Sequence, residues 1–169
     1  MSPVKKAAPA KKAVAKVAAP ETKLLAVIRV RGGFKMRKGF KDTFIMMRLN
    51  QKHHCVLLHD LPVNKGMILK LQDYITWGEI DASTLKALIA KRGRLDGNKR
   101  VTLKDKELDS LVSDLMSGKK KLIDAGIKPV LRLSPPSKGW DHGTIKLRYP
   151  RGALGPRGSE VNELLKRMI

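Results

Sequence analysis

Between Leu24 and Glu79, short aliphatic and β-branched runs alternate with segments of helical apolar spacing, and that alternation restricts the chain to a sheet covered by helices. The run LLAVIRV ends at Gly32-Gly33 and predicts a first strand beginning near Lys23. Asp42 or Thr43 can cap a helix whose Phe44, Ile45, Met47 and Leu49 form one apolar stripe, ending near Asn50. The apolar run from His54 to His59, closed by Asp60 and Pro62, predicts a buried second strand. Asn64 opens a second helix through Ile68 and Leu71, and Tyr74 to Trp77 form a third strand stopped by Gly78. The order is β-α-β-α-β.

Beyond this core the texture is helical. Ser83 caps a helix carrying Leu85, Leu88 and Ile89 before Gly93, and Thr102-x-x-Asp105 resembles a capping box before Leu108, Leu111, Val112 and Leu115, with Gly118 as the stop. Asp96-Gly97 signals a turn, and Ile127 to Leu133 can form a fourth strand. A basic loop rich in Pro and Gly runs from Ser134 to Gly158, and Ser159 caps a last helix through Val161, Leu164, Leu165 and Met168. The expected fold class is therefore α+β. It has a three-stranded sheet with helices on one face (23–80), a helical C-terminal extension with a basic loop (81–169), and a basic N-terminal tail (1–22). The tail mixes Lys, Ala and Pro with almost no large apolar side chains, so it cannot offset its ordering entropy alone, and it lacks the apolar stretch of a secretory signal.

Charge narrows the partner class. Lys and Arg number 36 against 15 Asp and Glu, a formal net charge of +21. Such a surplus repels itself in a compact state and seeks a polyanion, whose condensed counterions are released at each phosphate contact. The surplus is concentrated in the tail (including Lys11 and Lys12), in the 29–41 stretch, and in the Lys128 to Arg157 segment. Arg29, Arg31, Lys35, Arg37, Lys38 and Lys41 occur without an intervening carboxylate, and Lys52, His54, Lys138, Arg148, Arg151 and Arg157 complete the expected RNA-contacting set. Such contacts position a protein on RNA, whose folded shape supplies most of the selectivity. Only 4% of residues are aromatic, too few for a stacking platform of the RNA-recognition-motif type. Tyr74 and Trp77 fit core or edge packing, whereas Trp140 can stack on a base or anchor its loop.

Signals for other chemistry are weak. His53, His54, Cys55 and His59 cluster, but alternate strand residues face opposite sides and no second Cys/His group completes four ligands. One cysteine excludes an internal disulfide. The glycine-rich run 152–158 lacks the Gly-Lys-Ser/Thr ending of a nucleotide loop, and the carboxylates do not pair as acid and base. No metal, cofactor, small-molecule substrate or catalytic residue is expected, and no apolar run approaches the roughly 20 residues of a membrane span.

The segments VIRVRGG (27–33), DTFIMMRLNQKHHCVLL (42–58) and KGMILKLQDYITWGEI (65–80) resemble the family of large-subunit ribosomal protein thirty. KPVLRLSPPSKGW (128–140) and the closing EVNELLKRMI are similar to its long archaeal and eukaryotic form. The resemblance implies a non-enzymatic, cytoplasmic component of the ribosome that binds large-subunit ribosomal RNA, close to the 5S RNA, beside neighbouring large-subunit proteins. Two other classes stand against it: a chromatin-type DNA binder, suggested by the Lys/Ala/Pro tail, and an RNA-processing enzyme, suggested only by charge and scattered histidines.

Overall fold

The structure is a computed structural model that describes residues 23–95, 97–102, 105–140 and 144–169. Its elements are β1 (Leu24–Arg29), α1 (Lys38–Met46), β2 (His54–His59), α2 (Pro62–Leu71), β3 (Ile75–Glu79), α3 (Ala82–Arg92), α4 (Asp105–Met116), β4 (Val130–Arg132), β5 (Gly155–Pro156) and α5 (Val161–Met168), the last preceded by a 3-10 turn over Gly158–Glu160.

The α+β class holds, and the sheet has five strands where three were expected, in the order β4-β2-β1-β3-β5. β1 lies at the centre and pairs antiparallel with both β2 and β3. The extension supplies the two outer strands: β4 pairs antiparallel with β2, and the two-residue β5 pairs parallel with β3. So short a strand as β5 carries no periodicity that a sequence pattern could register.

Period-two alternation along β1 separates two cores. Leu24, Ala26 and Ile28 join a large cluster with residues of α3, α4 and α5, including Leu88, Leu115 and Leu165. Val27, with Leu25 packed against it, joins a second cluster with Phe44, Met47, Ile68 and Leu71 under α1 and α2. The helices of the core thus cover one face, and the extension closes the other. Both faces of β1 are apolar for that reason, and its 24–29 run is continuously buried or half-buried.

Several local expectations fail for identifiable reasons. Asp42 and Thr43 lie inside α1, where the Thr43 hydroxyl donates to the Gly39 carbonyl at 2.8 Å instead of capping. The same helix ends early because Arg48 adopts a left-handed φ of 59°, with Leu49 N–H donating to Phe44 O and Arg48 N–H to Ile45 O in a Schellman arrangement. Ile45, placed on the apolar stripe by its spacing, is exposed. α2 begins at Pro62, and Asn64 instead donates from Nδ2 to the His59 carbonyl. α3 begins at Ala82, so Ser83 lies within its first turn and does not cap it. Ser159 falls in the 3-10 turn, and its carbonyl accepts from Asn162 Nδ2 at 2.7 Å. The capping box at 102–105 includes residues outside those described.

Gly78 does not stop β3. The strand continues through it to Glu79 because a bare Cα is needed there: an added Cβ would sit 2.1 Å from the Gly158 carbonyl oxygen and 2.9 Å from Val161 Cβ. That close crossing seats α5 against the sheet. Arg92, at the end of α3, donates to the terminal carbonyls of Met168 (3.4 Å) and Ile169 (2.9 Å), joining α3 to α5.

Candidate nucleic-acid interface

The strand directions bring four loops to one end of the sheet. β1 leaves there into the loop 30–37, β2 and β3 enter there from 48–53 and 72–74, and β4 exits there into the 133–140 segment. Backbone bonds tie the loops together: Val30 and Arg31 N–H both donate to Tyr74 O, His53 N–H to Arg29 O, and Leu133 N–H to His53 O.

Arg29 organises this end from within. It is buried, and its Nη1 donates to the carbonyls of Leu49 (2.6 Å) and Asn50 (2.9 Å) while Nε donates to Arg31 O (3.0 Å). The guanidinium also lies 4.1 Å from the centroid of the Phe44 ring. Burial pulls its pKa below the ordinary arginine value. A cation so engaged is a clamp between β1 and the loop before β2. Gly33 permits the approach, since a Cβ there would lie 2.9 Å from Arg29 Nη2, and a Cβ on Gly32 would lie 2.9 Å from Lys52 Cε.

Around the clamp the cations turn outward. Lys35, Arg37, Lys38, Lys41 and Lys52 are exposed, and half-buried Arg31 lies 5.3 Å from the Tyr74 ring centroid while Nη1 donates to Asp73 O. α1 starts among them with neither a side-chain cap nor an acidic residue in its first turn, so its leading N–H groups add to the positive field. Arg148 pairs with Asp73 Oδ1 at 3.0 Å, an exposed ion pair that draws the extension's basic loop towards the same end. Lys138 and Arg151 are also exposed.

Two further members of the expected set lie inside. Arg157 is buried, with Nε donating to Thr76 Oγ1 at 3.1 Å and its guanidinium 5.0 Å from the Tyr149 centroid, so its charge helps fasten β5 to β3. His54 is buried and accepts from Gln51 N–H through Nδ1 at 3.4 Å. Burial first, then the charges of Arg132 and Arg29, hold it below the ordinary histidine pKa. It is a neutral wall of a groove also lined by Arg48, Asn50, Lys128 and Arg132. Arg48 was missed because its segment reads as the end of a helix. Arg132 joins only through the register that sets it opposite His54. Lys11 and Lys12 lie outside the described residues.

Trp140 is a loop anchor. Its ring stacks on His53 with centroids 6.0 Å apart and planes at 16°, and it packs against Val30, Ala153 and Leu154. Cys55 faces the larger core, where burial pushes its thiol pKa up to about 12, and among the described residues no group of three or more His, Cys, Asp or Glu could hold a metal ion. No helix of the described residues is long and apolar enough to cross a membrane.

Comparison with known proteins gives a consistent pattern. The family model described as ribosomal protein L30p/L7e matches residues 25–75, the stretch spanning β1 to the start of β3. The large ribosomal subunit protein uL30 of Methanococcus maripaludis is 45% identical over 151 residues, covering 85% of this chain and 98% of that protein. The uL30 proteins of Methanobrevibacter smithii (44% over 150 residues, 85% of this chain, 98% of that protein) and Nanoarchaeum equitans (43% over 153 residues, 86% and 99%) are similar over the same extent.

Proposed function

Because this chain belongs to the L30p/L7e family of ribosomal proteins, we propose that the basic sheet end is the surface through which it grips large-subunit ribosomal RNA. The protein is a structural component of the large ribosomal subunit. Its role on this reading is mechanical and electrostatic: the sheet end is rigidly held, and the exposed cations neutralise phosphate where RNA helices converge. The observation that carries the reading is the run from Arg29 to Lys41, which contains six cations and no carboxylate and whose only buried cation serves to hold the others in place.

On this reading Arg31, Lys35, Arg37, Lys38, Lys41, Lys52, Lys138, Arg148 and Arg151 contact the RNA, as do, by charge alone, Lys11 and Lys12 of the 1–22 tail. The 23–80 core sits on the RNA, with the 81–169 extension buttressing it. The protein's seat is near the 5S ribosomal RNA, beside other large-subunit proteins in cytoplasmic ribosomes, with no catalytic step.

Sedimentation of ribosomal fractions over graded salt tests this. The protein is expected with the large subunit until high salt, and its log affinity for deproteinised large-subunit RNA is expected to fall by about 0.7 to 0.9 per neutralised phosphate per log unit of salt. Recovery only in ribosome-free fractions, or a preference for duplex DNA, overturns the reading.

A further inference from the structure

We infer that Phe34 is a stacking site for an unpaired RNA base. The inference deepens the RNA-binding reading above and rests on it. Phe34 is 90% exposed, whereas Met36, two residues on, is 7% exposed and packed in the core under α1 and α2. The loop is therefore pinned on both sides of the ring: the Val30 and Arg31 N–H groups donate to Tyr74 O before it, and Met36 is inserted below after it. An anchored loop presents the ring in water, forgoing the stabilisation that burying a phenylalanine side chain yields.

The surroundings select the occupant. Lys35 Nζ lies 5.7 Å from the ring centroid, Lys35, Arg37 and Lys38 are exposed, and no other exposed large hydrophobic side chain occurs between Val30 and Phe44. An apolar protein pocket closing over Phe34 would have to desolvate these cations without pairing them. A nucleotide offers a flat base for the ring and a phosphate for the adjacent charges. The ring adds sequence-tolerant affinity beside contacts that are electrostatic.

Filter binding of the full-length protein to deproteinised large-subunit ribosomal RNA at several salt concentrations tests the assignment, with Phe34→Ala, Phe34→Leu and Phe34→Tyr compared with wild type. Stacking on one base predicts a loss of about 5- to 150-fold for the Ala and Leu variants, near-wild-type binding for Tyr, and an unchanged salt slope in all three. Binding of the Leu variant at wild-type strength means that an apolar side chain suffices without a ring, and overturns the stacking role. So does wild-type binding by the Ala variant. If wild type itself shows no salt-dependent binding, the RNA-binding reading falls, and this role with it; if wild type binds and the Ala variant binds equally well, only the stacking role falls.

Discussion

Arg29 and Arg37 are eight residues apart in one basic stretch, yet the first is enclosed and the second faces solvent. Arg29 stands at the end of the central strand, where the carbonyls of Leu49, Asn50 and Arg31 converge on its guanidinium. Arg37 stands just before an uncapped helix, at the solvent-facing edge of the loop. The difference teaches that burial among carbonyls can commit a positive charge to the protein's own backbone while a neighbour in the same stretch stays open to solvent. Arg157 and Lys138, in the extension's basic loop, repeat the contrast.

The sharpest way to break this contrast is Arg29→Met. It leaves buried carbonyls unpaired, so we expect a loss of about 2–4 kcal/mol in urea unfolding, with the salt slope of RNA binding unchanged. A large drop in that slope with intact stability would put Arg29 on the RNA side. The complementary change, Arg37→Glu with Lys38→Glu, should move stability by no more than about 0.5 kcal/mol per substitution. It should lower the salt slope by about 0.7 to 0.9 for each phosphate no longer neutralised, and normal binding would mean that the interface is misplaced.

The smallest expected effect concerns the histidines at the two ends of β2. Burial holds His53, His54 and His59 below the ordinary value of 6.5, with the charges of Lys52, of Arg132 and Arg29, and of Lys121 respectively adding to it. The unfolded chain therefore takes up these protons first as pH falls, so their contribution to stability is complete above about pH 6.5 and is lost progressively below it. Thermal unfolding midpoints should be level between pH 7 and 8 and decline from about 6.5 downward, less steeply in a His54→Gln variant. A flat profile down to about pH 5 would show that these rings are as well solvated in the folded state as in the unfolded one.

Much of the core was legible because its signals are local. β2 runs from His54 to His59 as its apolar run and the flanking Asp60 and Pro62 predict. Gly118 has the positive φ of a helix stop, and the outward cations of the 31–41 loop follow from charge alone. Helix starts were less legible: Thr43 has the chemistry of a cap, but its hydroxyl found the Gly39 carbonyl four residues back. The burial of Arg29, His54 and Arg157 was not legible because nothing in their immediate sequence announces acceptors or walls contributed by residues as distant as Leu49, Arg132 and Thr76.

The sequence by itself determined the alternation of strands and helices, the apolar faces of the central strand, and which segments carry the surplus charge, since each depends on neighbours a few residues apart. Only the tertiary structure decided that the extension would set its strands at both edges of the core sheet and cover the second face, that three members of the basic set would turn inward, and that Phe34 would stand exposed above a buried Met36. Those outcomes depend on which distant backbone groups and side chains meet, and a chain can be assigned them only after its loops have closed.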